Sequence, residues 1–210
     1  MSAAPLLDSS ATVRQQLQAR IAGMQATRLD EDSFSVRPEM QSLLPTGLRR
    51  GAVYAIEGST SVALALMAAP SAQGEWCGVL GLPDLGLEAA AGWGIDLHRL
   101  AWVDDPGERW LTTVAAMCDV LGIVLARAPR SVSAAETSRL AARLRQSRST
   151  LLLLGDWPQA ESTLRVVSAT WRGLGTGYGH LTDRQLKVEV RGRNGTDVLR
   201  RGRVEIGGRS

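Results

Sequence analysis

The chain has 210 residues, and its hydrophobic fraction of 44% is ample for the core of one domain with an arm or tail. The net charge of +3 is mild, and no apolar run approaches the ~20 residues of a membrane span. The first ten residues lack a basic region followed by an apolar run, so no export signal is expected. Cys77 and Cys118 are widely spaced in apolar surroundings, which predicts two buried free thiols, no metal site and a reducing, cytoplasmic location.

The first predicted element is an amphipathic helix over residues 11–25. Its apolar positions fall at i, i+4, i+8 and i+11 and form one stripe: Val13, Leu17, Ile21 and Met24. A helix that precedes the core must bury such a stripe on its own domain or on another chain, and the sequence favours neither. We interpret residues 1–41 as an N-terminal helical arm.

Residues 52–154 alternate strands and helices, the pattern of a three-layer α/β domain with a mainly parallel sheet. The predicted strands are Ala52–Ile56, Glu75–Gly81, Leu100–Val103, Gly122–Ala126 and Thr150–Leu154. Helices are expected over residues 61–69 and 87–93. A third helix begins at Asp105-Pro106, and a fourth follows a capping box formed by Ser133 and Glu136.

After Asp156 the predicted helices stop. Strands are expected at Leu164–Trp171, Leu186–Arg191 and Val198–Ile206, with a hairpin turn at Asn194-Gly195, and these form an antiparallel edge. The last twenty residues are rich in arginine: Arg191, Arg193, Arg200, Arg201, Arg203 and Arg209. Such a patch attracts phosphates or an acidic partner, although a solvated strand pair and tail would explain it equally well.

The turn after the first core strand has the outline of a phosphate-binding loop without its chemistry. A working loop needs G-x-x-x-x-G-K-[ST], in which the lysine neutralises phosphates and the hydroxyl holds Mg²⁺. Counted from Gly58, the last three positions hold Ala63, Leu64 and Ala65. Only Ser59, Thr60 and Ser61 keep some polar character. The sequence therefore predicts a degenerate loop that binds no nucleotide, with no metal and no cofactor.

No catalytic constellation is predicted elsewhere. His98 and His180 have no cysteine or carboxylate at the spacing of a metal site or a catalytic triad, so we expect structural or solvent-facing roles for both.

Three stretches resemble the core of RecA. Residues 44–58 resemble its run into the phosphate-binding loop, residues 94–100 its L-G-V-D-x-x-x-L segment, and residues 149–156 a strand that ends in Asn-Gln. The resemblance covers about residues 42–190, leaves residues 191–210 as an Arg-rich C-terminal segment, and implies a RecA-like three-layer α/β/α core.

Within that superfamily the chain is most similar to the short ImuA-type proteins of actinobacteria, often written ImuA′, and residues 175–179 (Gly-Thr-Gly-Tyr-Gly) fit this likeness. The resemblance implies a non-catalytic accessory in error-prone translesion synthesis induced by DNA damage. Such a protein works with ImuB, a Y-family polymerase-like partner, and through it with an error-prone C-family polymerase.

Departures from RecA indicate which activities are lost. The fourth strand ends in Ala126-Arg127 where a carboxylate would help to hold Mg²⁺, and Asp84 and Glu88 are the only carboxylates near the second strand. Both DNA-binding loops are expected to be short, with about a dozen residues after the fourth strand and fewer than ten between Asp156 and Leu164.

Four functions are compatible with these features. The first is a module that binds a protein partner or a second copy of itself through the arm stripe and the C-terminal arginines. The second is a DNA-binding RecA paralogue without ATPase, in which those arginines contact phosphates and exposed Trp residues or Tyr178 stack on bases. A residual NTPase and a cell-division inhibitor similar to SulA are weaker alternatives.

Overall fold

The computed structural model describes residues 32–172, 183–193 and 197–207. Several sequence predictions fall outside these residues: the helix over 11–25 with Val13, Leu17, Ile21 and Met24, the 175–179 stretch with Tyr178, His180, Asn194-Gly195 and Arg209. No helix in the described residues is long and apolar enough to cross a membrane.

Ten strands are present in the described residues, and eight of them form one sheet. In chain order the strands are β1 (Ser33–Phe34), β2 (Leu48–Arg49), β3 (Val53–Glu57), β4 (Cys77–Leu80), β5 (Leu100–Val103), β6 (Ile123–Arg127), β7 (Thr150–Leu154), β8 (Ser162–Arg172), β9 (Asp183–Arg191) and β10 (Val198–Gly207). The helices are α1 (Pro38–Gln41), α2 (Thr60–Ala72), α3 (Leu87–Gly92), α4 (Trp110–Val120) and α5 (Ala134–Ser147).

The order of strands in the large sheet is β10-β9-β8-β3-β7-β6-β4-β5. Every pairing from β8 through β5 is parallel, and the β8–β9 and β9–β10 pairings are antiparallel. The predicted antiparallel edge is therefore present, with β8 itself parallel to β3. Strands β1 and β2 form a separate antiparallel pair.

Helices cover both faces of the parallel part of the sheet. Successive residues of a strand point to opposite faces, so Tyr54 and Ile56 of β3 pack in the core that contains α2, whereas Val53 and Ala55 pack in the core that contains α4 and α5. This arrangement explains why the central strands are apolar without alternation, and it confirms the three-layer α/β/α prediction.

The segment before the first core strand contributes to the core. Phe34, Val36, Met40, Leu43 and Leu44 are all buried, and α1 packs against β10. The sequence predicts a polar segment over residues 27–44, and this prediction is wrong for residues 34–44, whose apolar side chains pack in the core.

The two predicted helix starts differ in outcome. The Ser133–Glu136 capping box is confirmed, because Glu136 N–H donates to Ser133 Oγ at 3.2 Å and Ser133 N–H donates to Glu136 Oε2 at 2.9 Å. The Ser133 hydroxyl also donates to Glu136 Oε2 at 2.7 Å, and this bond together with that of the Ser133 N–H holds the pKa of the Glu136 carboxyl below its ordinary value. Asp105 instead accepts from Gly107 N–H at 2.8 Å in a 3₁₀ turn, and α4 begins only at Trp110. The positive φ of Gly107, 52°, interrupts the helix that the sequence predicted to start at Asp105.

Both cysteines are free and buried, as predicted. Removal from water disfavours a thiolate, and burial raises the pKa of Cys77 to about 11 and that of Cys118 to about 12. Neither thiol is therefore activated as a nucleophile.

Replacing Ser133→Ala should destabilise the protein by about 1 kcal/mol, because the N-terminus of α5 loses its side-chain cap. In a chain of this size the expected fall in Tm is roughly 2–4 °C, measured by thermal unfolding. Ser131 lies on the same connection outside any helix, so Ser131→Ala is the matched control. Equal Tm values for the two variants would contradict a stabilising capping box.

Candidate functional site

The turn that carries the degenerate loop is much shorter than a phosphate-binding loop. Only Gly58 and Ser59 separate the last residue of β3 from the first residue of α2. Gly58 adopts a φ of +86°, which an L side chain would resist, and this allows the chain to reverse direction within two residues. Ser59 is the N-cap, and its Oγ accepts from Val62 N–H at 3.4 Å. No arch of backbone remains that could surround a phosphate.

The shortened turn changes the environment of the three residues that replace the G-K-[ST] signature. Ala63, Leu64 and Ala65 lie inside α2, past its first three residues, and are 0%, 3% and 1% exposed. The count along the sequence assumed a loop of ordinary length. Because the helix begins at Thr60, those positions pack in the core instead of facing a ligand, while Thr60 and Ser61 are partly exposed at the helix start.

A cavity of about 460 Å³ lies beside this turn, at the carboxyl ends of β3, β6 and β7. Ligands of open α/β sheets bind at such strand ends. Its charged lining consists of Glu57 and Arg127. Glu57 Oε2 lies 3.5 Å from Arg165 Nε, and Arg127 Nε donates to Gly81 O at 3.4 Å. With one carboxylate and one guanidinium, the lining has no excess positive charge to hold a triphosphate.

The carboxylate that would help to hold Mg²⁺ is replaced at this end of the sheet. Strand β6 ends at Arg127, a cation at the position where Mg²⁺ would need a carboxylate. Asp84 and Glu88 are both exposed, on the turn before α3 and in its first turn. Within residues 32–172, 183–193 and 197–207, no group of three or more His, Cys, Asp or Glu side chains could hold a metal ion.

The two connections that correspond to the DNA-binding loops of RecA are short and held close to the sheet. Residues 128–133 join β6 to α5, which is less than the predicted dozen, and residues 155–161 join β7 to β8. Ala128 N–H donates to Leu154 O and Gly155 N–H donates to Ile56 O, each at 3.0 Å. These bonds fix both connections to the strand ends.

The five described C-terminal arginines do not form one patch. Register places Arg200 opposite Val190 and Arg201 opposite Glu189, so the two arginines point to opposite faces of the sheet. Three of the five pair with acids: Arg201 with Glu189 at 2.7 Å, Arg191 with Glu189 at 3.6 Å and Arg193 with Glu161 at 2.5 Å. Arg200 and Arg203 are exposed.

Four charged residues, one from each of four adjacent strands, form a row that could not be predicted from the sequence. Glu57 of β3 is opposite Arg165 of β8, which is opposite Glu189 of β9, which is opposite Arg201 of β10. Opposite charges in adjacent strands stabilise cross-strand pairing. The residues are far apart in sequence, and only the strand order brings them together. Glu57 and Arg127 were likewise missed as lining residues of the strand-end cavity.

Strand order and helix placement give the chain a RecA-like three-layer α/β/α fold. The crystal structure of flagellar accessory protein FlaH from Methanocaldococcus jannaschii superimposes with a TM-score of 0.51 and 9% sequence identity, covering 81% of this chain and 91% of that chain. At this identity the likeness concerns the fold alone.

The comparison by sequence identifies the family. The model of the MT3502 N-terminal domain matches residues 42–159, and the chain belongs to this family. A protein of Mycobacterium tuberculosis (strain ATCC 25618 / H37Rv), whose name is uncharacterized protein Rv3395c, is 34% identical over an alignment of 158 residues, and the match covers 71% of this chain and 78% of the relative.

Restoring the missing lysine by sequence count should fail. Leu64→Lys would place an unpaired ammonium in the core, and the expected loss of stability is about 3–5 kcal/mol, with no gain of nucleotide binding. Ser61→Lys is the matched control, because it adds the same charge at a partly exposed position three residues earlier and should leave the stability nearly unchanged. Chemical denaturation of both variants measures the difference, and a stable L64K variant would contradict the shortened loop.

Proposed function

We propose that this protein is an ImuA-type, non-catalytic accessory of damage-induced translesion synthesis that acts by binding a protein partner. The observation that carries the proposal is the closed strand-end turn of β3, in which the capped helix begins two residues after the strand. The phosphate-binding chemistry is missing from this turn, while the rest of the RecA-like core is kept. A folded domain that lacks a catalytic site can still act by binding a partner.

The proposed partner is an ImuB-like homologue of Y-family polymerases, and through it an error-prone C-family polymerase. This identity rests on the resemblance of residues 44–58, 94–100 and 149–156 and on the degenerate loop. The proposal entails neither nucleotide nor metal as a cofactor.

The surface that best suits a protein partner is the three-stranded extension, which we define as β8, β9 and β10. It carries four large apolar side chains that are at least 36% exposed: Val167, Trp171, Val198 and Leu199. Arginines accompany them, and the Arg184 guanidinium lies 4.8 Å from the centre of the Trp171 ring. Exposed aromatic and apolar groups beside arginine are typical of protein interfaces.

DNA binding is the second candidate, and one pairing favours it. Lys187 of β9 is directly opposite Arg203 of β10 on the same face, and neither makes an ion pair with a carboxylate of the described residues. Two like charges side by side would suit a phosphate. Binding of single-stranded DNA that falls steeply with salt and is lost in a K187Q/R203Q double variant would support this function over the first.

Substituting Trp171→Ala should weaken binding of the ImuB-like partner, measured by pulldown at graded partner concentrations, by about thirtyfold, since an interface Trp that is a hot spot commonly contributes 2 kcal/mol or more. Trp76→Ala is the matched control, because Trp76 is 51% exposed against 52% for Trp171 and lies directly before β4, outside the extension. A chain lacking residues 1–25, tested in parallel, measures the contribution of the arm. Equal capture by W171A and W76A would remove the extension as the docking surface. Binding to the division tubulin instead would favour the SulA-like alternative.

Adding ATP and Mg²⁺ should leave the Tm of the full-length protein unchanged, because the turn after β3 holds no lysine and is too short to enclose phosphates. A nucleotide present at 100 times its Kd would stabilise the protein by about 2.7 kcal/mol, which thermal unfolding detects readily. A clear upward shift with ATP would contradict the accessory function as proposed.

A further inference from the structure

A second cavity, of about 450 Å³, opens at the other end of β3 from the degenerate loop. It lies between the start of β3, the last turns of α5 and the connection into β8. Its charged lining is formed by Arg49, Arg145, Arg193 and Glu161, which come from distant parts of the chain. Nothing in the function proposed above uses this cavity.

Backbone packing holds two of these arginines at the cavity. The turn between β2 and β3 lies against α5 so closely that a Cβ at Gly51 would be 2.9 Å from the Cα of Arg145. Gly51 adopts a φ of +76° and its N–H donates to Ser149 O at 3.1 Å, so the turn is fixed at both α5 and β7. Arg49 N–H donates to the buried Tyr54 hydroxyl at 2.8 Å.

The Glu161 carboxylate is also held at the cavity by backbone packing. Glu161 N–H donates to Val53 O at 2.7 Å, which fixes the start of β8 beside β3. A single oxygen, Glu161 Oε2, lies 3.6 Å from Arg49 Nη1 and 2.5 Å from Arg193 Nη2.

The charges of this cavity do not balance. Three guanidinium groups face one carboxylate, and two of the three share the same carboxylate oxygen. Arg145 makes no ion pair with any residue that the structure describes. Arginines remain charged at every physiological pH, so the cavity lining carries an excess of two positive charges.

We propose that this cavity binds the phosphate group of a phosphate-bearing ligand. Guanidinium groups match phosphate oxygens with paired hydrogen bonds, and a doubly charged phosphate would neutralise the excess charge. A volume of about 450 Å³ exceeds that of one phosphate and lies in the range of small-molecule sites, so the phosphate carries an attached group. That ligand is either a free small phosphate compound or the terminal phosphate of a nucleic-acid strand.

Glu161 has a defined role in this proposal. It holds Arg49 and Arg193 in place when the cavity is empty and competes with the phosphate for the same guanidinium groups. Removing its charge should therefore tighten phosphate binding, whereas removing Arg145 should weaken it. Opposite effects of these two substitutions are specific to this cavity.

The test is calorimetric titration of the full-length chain with inorganic pyrophosphate at low ionic strength, where screening is small. We expect saturable binding at one site, weakened about tenfold or more in Arg145→Gln and tightened in Glu161→Gln. Arg139→Gln is the matched control, because Arg139 is an exposed arginine on the same helix outside this cavity. Arg193→Gln repeats the test at a position outside the helices, should R145Q unfold.

A second arm distinguishes the two sources of phosphate. A 5′-phosphorylated oligonucleotide is compared with the same oligonucleotide ending in a 5′-hydroxyl. Tighter binding of the phosphorylated strand, lost in R145Q, assigns the site to a nucleic-acid end. Equal binding of both strands together with saturable pyrophosphate binding assigns it to a free small phosphate. No saturable pyrophosphate binding, equal losses in R145Q and R139Q, or no tightening in E161Q would each overturn the proposal. None of these outcomes bears on partner capture through the extension.

Discussion

The short turn between β3 and α2 determines the environment of the residues that replace the phosphate-binding signature. Helix α2 begins two residues after β3, with Ser59 as its cap. Because the helix begins at Thr60, residues 63–65 lie inside it and are buried in the core. Leu64 and its neighbours are therefore packing residues whose apolar character follows from their position. The missing phosphate-binding signature and the close packing of α2 both fit this short turn.

The sheet has two halves with different environments. The parallel half is covered by helices on both faces, so its strands are apolar throughout. The three-stranded extension has one face in the core, formed by Leu186, Val188 and Val190, and a second face that carries exposed charged side chains. Charged residues on an edge strand also discourage unwanted pairing with other strands. The arginines of β10 therefore have a structural use besides any role in docking.

Charge is distributed unequally along β3. At its carboxyl end the cavity lining has one carboxylate, Glu57, and one guanidinium, Arg127, so this end has no excess positive charge. At its amino end Arg49, Arg145 and Arg193 surround a single carboxylate. A phosphate-binding loop would have placed the attractive field at the carboxyl end. Here the excess positive charge lies at the opposite end. The arginines that carry it come from segments far apart in the sequence, and no sequence pattern predicts that they meet.

The sequence by itself determined the alternation of strands and helices, the capping box at Ser133, the buried thiols and the absence of a phosphate-binding signature, because each follows from local periodicity or from a short motif. The tertiary structure alone decided the strand order, the burial of residues 34–44 and the real length of the loop. It also decided the charge row through Glu57, Arg165, Glu189 and Arg201 and the arginine cavity around Glu161. These features depend on register and packing between segments that are far apart in the chain. No local sequence pattern specifies which of their side chains meet.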